Sequence, residues 1–389
     1  MRTSIPFFFL VGFGLIVHAA DLAQVDIGPY SADDTQKHQA RIQEALKSNI
    51  GTPTVFRFAP GVYHLSSAEG LAVPDGATLL MEGATFIFSE DMKEDGEAFL
   101  IKNASDICIR GGEIIGRREA WDPGVNIAGI RMVGNVENVR IESLICRELT
   151  ANGVGVFGES NAKPIRNISL IQITTINCCT AYGDYLSAQE GPAPNSERID
   201  QGNVAFYYVD GWVVKGCRLI GSKSDGTHFY FSHNGRFINN EVSNSKMGGY
   251  FVEECEYVLA SGNIFSENGS RGVTIERNSL FCTLTNNVIR HSGREGLWAP
   301  EIRHILVTSN VFQENGRKDD KEQDCEIRLD NSDVYATVTG DIHIKDNIFY
   351  ASDHQTAFIL VDDGIEGIKI KGNTYTGSIP KLIERPARK

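Results

Sequence analysis

The chain has 389 residues, of which 41% are hydrophobic and 22% are charged, and its formal net charge is −13. An acidic surface of this kind disfavours nucleic acid as a partner. The cysteines lack the CxxC spacing of a metal site, and several lie in strand-like runs, so we expect buried thiols, although an oxidising compartment would allow one or two bridges. The eight cysteines are Cys108, Cys146, Cys178, Cys179, Cys217, Cys255, Cys282 and Cys325.

The N-terminal segment predicts a secretory signal peptide. Residues 1–20 contain Arg2, an apolar run from Ile5 to Val17 and two alanines at the end. The apolar run is too short to span a bilayer, and no later segment is long enough. We therefore expect a secreted or periplasmic protein without a membrane span, and one domain from residue 21 to residue 389.

An N-terminal cap is predicted over about residues 21–98. Within it, residues 34–48 form an amphipathic helix, because Ile42, Ala45 and Leu46 recur at helical spacing. The alternating residues after this helix, 55–65 and 76–88, predict the first strands.

A repeat of about two dozen residues fills the C-terminal half of the chain. Asn240, Asn263, Asn287 and Asn310 are spaced by 23, 24 and 23 residues, and each begins a short run with apolar residues. Each unit holds two or three strands of about four residues, too short for helices. The repeat therefore predicts an all-β fold, a right-handed parallel β-helix of about ten coils whose open end the helix covers.

The recurring asparagines have a structural explanation. In stacked coils the amide of each Asn can hydrogen-bond to the copies above and below it, roughly 4.8 Å away. We expect this ladder to continue through Asn347 and Asn373. We also expect an apolar column inside the coil from the residues that follow, namely Val242, Ile264, Val288, Val311 and Ile348.

Two segments are too long to be coil corners. They are residues 178–202 and residues 314–324, and we expect both to project as loops, where binding residues commonly lie. The first loop is expected to border the cleft, with Asp184 or Tyr185 reaching into it.

The chain resembles a known superfamily. The sequence DDT before a helix, a strand leading into APGVY, the segment GLAVPDGATLL and the Asn-ladder coils are similar to the pectate-lyase-like parallel β-helix proteins. That superfamily includes polysaccharide lyases, glycoside hydrolases and uronate epimerases, and within it the chain weakly resembles compact bacterial alginate-type lyases. The polygalacturonase signature is present only as Ser224, Asp225 and Gly226, and the signatures of alginate epimerases and of chondroitinase B-type lyases are absent.

Two columns of side chains are predicted on the outer face of one sheet, because they alternate with the apolar residues Phe229, Val252, Ile275 and Ala299. The first column is Ala205, His228, Phe251, Thr274 and Trp298, and the second is Tyr207, Tyr230, Glu253 and Glu276. Cations precede these strands on three consecutive rungs, at Lys223, Lys246 and Arg271.

This set of side chains suits β-elimination from a uronic acid. The reaction needs a neutralised carboxylate, a base for the C5 proton and an acid for the leaving oxygen. Lys223, Lys246 and Arg271 suit the first task, and a lysine with a lowered pKa could also be the base. The residues His228, Tyr230 and Tyr207 suit the proton transfers, with Trp298, Tyr185 and Asp225 in substrate binding.

Two other functions use the same residues. Glu253 and Glu276 on adjacent rungs match the carboxylate pair of a retaining glycosidase, or they could bind Ca²⁺. A non-catalytic carbohydrate-binding solenoid would need only Trp298, Tyr207 and Tyr230 as stacking platforms. We rank a lyase acting on an acidic polysaccharide such as alginate first, because three cations suit an anionic polymer, a hydrolase second and a binding module third.

Overall fold

The computed structural model describes residues 22–48, 50–122, 124–179, 201–317, 325–331 and 338–385. The predicted signal peptide lies outside the described residues, and so do Asp184, Tyr185 and most of both predicted loops. In the described part of the chain, no helix has both the length and the apolar character needed to cross a membrane.

The chain folds as a right-handed parallel β-helix, which confirms the predicted fold. The described strands form three sheets of 13, 12 and 12 strands, and within each sheet all neighbouring strands are parallel. Each coil adds one strand to sheet 1, then one to sheet 2 and one to sheet 3. Twelve strands in two of the sheets correspond to about twelve coils, slightly more than the ten predicted.

The strands are short and recur in the same order along the chain. Sheet 1 contains Ala23–Ile27, Thr54–Phe58, Ala77–Leu80, Ser105–Arg110, Glu137–Glu142, Ile165–Ile171, Val209–Lys215, His233–Ile238, Leu259–Ser261, Thr283–Thr285, Arg303–Thr308, Gly340–Lys345 and Lys369–Lys371. Sheet 2 contains Gly61–Leu65, Ala84–Phe88, Glu113–Ile115, Ile145–Arg147, Thr174–Ile176, Arg218–Ile220, Glu241–Ser243, Ile264–Ser266, Val288–Arg290, Val311–Gln313, Ile348–Tyr350 and Thr374–Thr376. Sheet 3 contains Leu71–Ala72, Gly96–Lys102, Ile127–Val133, Val154–Phe157, Val204–Tyr207, Thr227–Tyr230, Tyr250–Glu253, Val273–Glu276, Leu297–Pro300, Cys325–Asp330, Ala357–Asp362 and Leu382–Arg385.

The N-terminal helix packs on the first coils, as predicted. A 3₁₀ helix, Ala32–Lys37, leads into the α-helix His38–Lys47, whose Ile42 and Leu46 are fully buried. Its Gln39 side chain satisfies strand-edge groups, since it donates to the Glu69 carbonyl at 2.6 Å. The strand Ala23–Ile27, which the sequence pattern did not reveal, precedes the helix and pairs with Thr54–Phe58.

The predicted asparagine ladder is confirmed. Asn240 donates from Nδ2 to Oδ1 of Asn263 at 3.0 Å, and Asn263 donates to Asn287 at 2.8 Å. The same bond continues from Asn287 through Asn310 and Asn347 to Asn373. Each of these donors also bonds a backbone carbonyl, and each Oδ1 also accepts the backbone N–H of the preceding Asn. The ladder therefore satisfies buried polar groups on consecutive coils.

The predicted apolar column after the ladder was wrong at four of its five positions. Because the asparagine side chains point inward, the residue directly after each one points outward and the second residue points inward. Val242 is a second residue and is buried, whereas Ile264 and Ile348 are 41% and 37% exposed. Val288 and Val311 occupy the same outward position. The inner column is instead Val242, Phe265, Ile289, Phe312 and Phe349.

The cysteines also contribute to the interior. All eight are free thiols and seven are buried, while Cys108 is partly exposed. Burial raises the pKa of Cys146 and Cys255 well above the ordinary value, so these thiols stay protonated and behave as small apolar side chains.

We predict that Asn287→Ala destabilises the fold by about 3 to 5 kcal/mol, because it removes four buried hydrogen bonds. The groups that each lose one bond are the Asn263 backbone N–H and Nδ2, the Ala260 carbonyl and Oδ1 of Asn310. Urea denaturation measures the effect. The partly exposed neighbour Thr285 is the control, and Thr285→Ala should change stability by less than about 0.5 kcal/mol. Equal stability of the two variants would contradict a structural role for the ladder.

Candidate functional site

The two predicted columns lie on the outer face of sheet 3, in the predicted register. Tyr230 pairs with Glu253, Glu253 with Glu276, and Thr274 with Trp298. The alternating residues Phe229, Val252, Ile275 and Ala299 are buried in the core. The side chains of the columns are not all solvent-exposed, however. His228, Glu253 and Glu276 are each 2% exposed, so their electrostatic interactions are weakly screened.

His228 is held by carboxylates at both ring nitrogens. Its Nδ1 lies 3.6 Å from Oδ2 of Asp225, and its Nε2 lies 3.5 Å from Oε2 of Glu253. The ring stacks between Phe251, at a centroid distance of 4.4 Å, and Tyr207, at 5.5 Å. Burial opposes the charged form, but the two carboxylates outweigh it and raise the pKa of His228. The two carboxylates therefore favour the charged form of the imidazole beside Glu253.

Glu253 is kept ionised by its neighbours. The Arg277 guanidinium donates from Nη1 to Oε1 of Glu253, and His228 lies near the other oxygen. Burial alone would raise the pKa of this carboxyl group, but His228 and Arg277 lower it to about 2. Glu253 is therefore a carboxylate in neutral and mildly acidic solution.

Glu276 is in the opposite state. It lies one rung from Glu253, and its Oε1 is 3.0 Å from Nε of Arg277. Burial raises the pKa of Glu276 to about 7, because Arg277 only partly offsets burial and the nearby Glu253 carboxylate disfavours a second negative charge. The pair thus combines an ionised and a protonated carboxyl group on adjacent rungs.

A second cluster begins on the rung of Glu276 and continues on the next rung. Arg271 donates from Nε to Oε2 of the fully buried Glu295 at 3.2 Å, and its guanidinium lies 3.8 Å from the centre of the Trp298 ring. Trp298 donates from Nε1 to Oδ2 of Asp330 at 3.4 Å. Arg294 approaches the same Glu295 oxygen at 3.7 Å. Two arginines therefore share one carboxylate beside an indole ring.

Farther along the same face, Arg328 joins two aspartates. Its Nη2 lies 3.2 Å from Oδ2 of Asp330 and 3.2 Å from Oδ2 of Asp362. Burial and the neighbouring Asp362 raise the pKa of Asp330 to about 6, while Arg328 and the Asp330 hydrogen bond lower the pKa of Asp362. This pair therefore shares one proton in mildly acidic solution.

The remaining predicted residues lie around this face. Lys223 and Lys246 occupy equivalent corner positions, whereas Arg271 lies two residues farther along its corner, level with Asp225 and Glu295. Arg271 is therefore not in the same column as the two lysines. Tyr207 and Tyr230 pack together at 5.3 Å between ring centroids. Burial raises the pKa of Tyr230 above its usual value.

Several site residues escaped the sequence pattern. Arg277 directly follows Glu276 and has a φ of 53°, in the left-handed region that turns the chain at the corner. It lies outside the strand, so the period of two gave no sign that it reaches the carboxylates. Arg328 and Asp330 lie in register with Trp298 and Pro300, but the intervening segment breaks the 23-residue spacing.

No group of three or more His, Cys, Asp or Glu side chains among the described residues could hold a metal ion. At Glu253 and Glu276, the two residues predicted as Ca²⁺ ligands, Arg277 provides a positive charge between the carboxylates.

The chain is similar to families and structures of one fold. A family described as "Periplasmic copper-binding protein (NosD)" matches residues 193–378, slightly less than half of the chain. The A-module of mannuronan C-5 epimerase AlgE4 from Azotobacter vinelandii has a TM-score of 0.68 and 15% identity, over 89% of this chain and 95% of that chain. A comparison with curated protein sequences found no match.

Two other similar structures have different roles. PfbA, a surface adhesin of Streptococcus pneumoniae, has a TM-score of 0.65 and 14% identity, over 89% of this chain and 87% of that chain. The Dettilon tailspike protein has a TM-score of 0.62 and 16% identity, over 93% of this chain and 68% of that chain. At these identities the likeness establishes the parallel β-helix fold and leaves the chemistry to the site.

We predict that Glu276 makes the stability of the protein depend on pH. Its folded-state pKa of about 7 exceeds the ordinary value of 4.5, so the folded state binds a proton that the unfolded state releases. The resulting stability is complete below pH 4.5 and is lost as the pH rises through about 7, by about 3 kcal/mol in all.

Urea denaturation at pH 5 and pH 8 tests this prediction. Glu276→Gln should lose less stability over this range than the wild type, because the amide does not titrate. Glu241, a partly exposed residue on the outer face of sheet 2, provides the control variant Glu241→Gln, which should follow the wild type. An unchanged pH dependence in Glu276→Gln would show that Glu276 titrates normally.

Proposed function

We propose that the protein is a polysaccharide-cleaving enzyme that uses Glu253 and Glu276 as a hydrolytic pair. The observation that carries this proposal is the opposite protonation of the two carboxyl groups, with pKa values of about 2 and about 7. Environments that shift the pKa values of two neighbouring carboxyl groups in opposite directions are typical of a general acid paired with a nucleophile.

The spacing of the pair favours the retaining reaction. Glu253 and Glu276 are direct partners on adjacent parallel strands, which are roughly 4.8 Å apart. Retaining glycosidases hold their carboxyl groups about 5 to 5.5 Å apart, and inverting enzymes need a wider gap for water. We therefore propose a covalent glycosyl intermediate on Glu253.

Each residue then has a defined task. Glu276 gives its proton to the glycosidic oxygen as Glu253 attacks the anomeric carbon, so the C–O bond breaks and the leaving sugar departs as an alcohol. The Glu276 carboxylate then takes a proton from water, whose oxygen displaces Glu253 from the sugar. Arg277 contacts both carboxyl groups and His228 lies beside Glu253, so they keep the nucleophile ionised.

A polymeric carbohydrate is the proposed substrate because side chains recur along the face with each rung. A rung repeats roughly every 4.8 Å, close to the length of one sugar unit. Partly exposed aromatic residues, Tyr230, Phe251 and Trp298, accompany the carboxylates and suit packing against sugar rings. The mannuronan epimerase named above has the same fold and acts on a polysaccharide.

β-Elimination from an acidic polysaccharide, such as alginate, which the sequence alone ranked first, is the second proposal. It is favoured by the cations Arg271 and Arg277, which flank the carboxylates and could neutralise a uronate. The acid–base residues assigned to it are less suitable, since both nitrogens of His228 face carboxylates and the raised pKa of Tyr230 makes its phenolate hard to form. Participation of Lys223 or Lys246, and a Ca²⁺ requirement, belong to this proposal.

We propose a secreted or periplasmic location, which the predicted signal peptide supports. The description of the matching NosD family as periplasmic agrees with it. A non-catalytic role on a carbohydrate surface is the third proposal, and the similar structure of PfbA belongs to a surface adhesin.

We predict that the protein releases reducing ends from a polysaccharide without forming the unsaturated ends that absorb in the near ultraviolet. The assay uses alginate, pectate, a xylan and a neutral glucan. Glu253→Gln and Glu276→Gln should each lower kcat by about 10²- to 10⁴-fold, the usual contribution of a positioned proton-transfer or nucleophilic group. Glu241→Gln, on sheet 2, should retain activity.

Other outcomes separate the alternatives. Ultraviolet-absorbing ends, together with loss of activity in Lys223→Ala or Tyr230→Phe, would establish elimination in place of hydrolysis. An effect of a chelator would add Ca²⁺ to that mechanism. If no polysaccharide of the panel is cleaved but binding is retained, the non-catalytic role is favoured.

We predict that kcat/KM falls as the pH rises through about 7, because Glu276 must be protonated to act as the acid. Glu253 has a pKa of about 2, so it imposes no acid limit in the range in which the protein stays folded. A pH–rate profile from pH 5 to 9 measures this alkaline limb. A rate that instead increases over the same range would indicate that the titrating group acts as a base.

A further inference from the structure

We propose that Arg271, Arg294 and Trp298 form a subsite that binds the anionic group, a carboxylate or a sulfate, of a sugar next to the bond that is cleaved. This inference rests on the proposed function for its placement, because the subsite adjoins Glu276. It names the substrate class as an acidic polysaccharide.

The first observation is the fixed position of the Arg271 guanidinium. Glu295 accepts a hydrogen bond from its Nε, and its central carbon lies over the Trp298 ring, 3.8 Å from the ring centre. Trp298 is in turn held by the hydrogen bond from its Nε1 to Asp330. A cation with one hydrogen bond and one aromatic contact is preorganised, so little side-chain entropy is lost when a ligand binds.

The second observation is the number of donors that remain. A guanidinium carries five N–H groups. Among the described residues, Arg271 uses only Nε in a protein hydrogen bond, and Nε of Arg294 has no hydrogen-bond partner. The Arg271 and Arg294 side chains are 17% and 26% exposed, whereas Nε of Arg294 is itself buried. The Nη donors of the two guanidinium groups are therefore the ones that an anion would reach. A carboxylate or sulfate would accept two of them in parallel.

The third observation is the imbalance of charge. Two arginines, Arg271 and Arg294, lie within 4 Å of the single Glu295 carboxylate, whereas Arg328, which approaches its other oxygen at 4.0 Å, is already paired with two aspartates. Burial, and to a lesser degree Arg294, lower the pKa of Arg271 despite the attraction of Glu295. A bound anion would supply the missing negative charge.

The position relative to the carboxylate pair defines which sugar is recognised. Arg271 precedes the strand Val273–Glu276, Arg294 precedes the next strand, and Trp298 pairs with Thr274. The subsite is thus on the rung of the general acid and on the rung beyond it, away from Glu253. The anionic sugar is therefore the one that leaves with the glycosidic oxygen, or the sugar following it.

Isothermal titration calorimetry tests the subsite on the full protein. The ligands are tetramers of galacturonate, mannuronate and guluronate, a sulfated carrageenan tetramer, and cellotetraose as the neutral control. We expect the wild type to bind at least one anionic tetramer at least tenfold more tightly than cellotetraose, with affinity falling as salt increases. Arg271→Gln/Arg294→Gln should lose that preference, and Arg271→Lys should keep part of it.

The control is Arg218→Gln, since Arg218 pairs with Glu241 on the outer face of sheet 2 and should not affect binding. An unchanged preference in the double variant, or no preference for any anionic tetramer in the wild type, would overturn the subsite. The uronate and sulfate tetramers distinguish the two anions. Glu276→Gln separates the claims: if it binds normally but the wild type cleaves nothing, the subsite stands and the proposed function fails. If the wild type cleaves a polysaccharide but shows no preference for anionic tetramers, the proposed function stands and the subsite fails.

Discussion

The fixed stacking of parallel strands is the constraint on which the structure depends. Adjacent strands lie roughly 4.8 Å apart, so every position of one coil repeats above and below itself. This arrangement would bury a polar group on each coil at the corner where the asparagines lie. The Asn240-to-Asn373 ladder satisfies these groups with one another, and each amide also bonds the backbone. A buried amide without a neighbour in the next coil would be costly, so the ladder fixes the register of every coil it joins.

Register also creates the chemistry of the outer face. When two acidic residues occupy the same position on adjacent coils, their carboxyl groups are forced close together and cannot easily both ionise. Residues outside the column determine which of the two carboxyl groups is ionised. His228 and Arg277 contact Glu253. At Glu276 the positive charges of Arg277, Arg271 and His228 do not outweigh burial and the neighbouring Glu253 carboxylate. A scaffold built from nearly equivalent coils can therefore give two identical side chains different protonation states.

The sequence revealed the fold because the period is a consequence of the stacking itself. It also placed Glu253, Glu276 and Trp298 in register, since the period of two and the 23-residue repeat apply inside strands. It did not predict the alignment of residues at the corners between strands. Arg271 was aligned with two lysines, although it lies two residues from their position. Arg277 was missed for the same reason, and Ile264 was assigned to the wrong face because the inward direction of the asparagine was not known. The sequence pattern did not predict the burial of His228 and both glutamates. It predicts which face of the sheet a residue lies on, but not whether neighbouring side chains cover that residue.

The corner that follows sheet 3 links backbone conformation to the site. On the early coils this left-handed position is held by Asn103 and Gly134, residue types that tolerate positive φ. On five later coils it is held by Tyr208, Phe231, Glu254, Arg277 and Glu301, with φ between 45° and 55°. Side chains of these types are uncommon there, and each costs on the order of 1 kcal/mol. Tyr208 and Phe231 offset part of this cost by stacking at 5.3 Å. Arg277 does so by binding both carboxyl groups of the pair, which an asparagine or glycine could not do. Two of these five coils carry the carboxylate pair, and on one of them the corner residue that strains the backbone, Arg277, also helps to set the charge of Glu253.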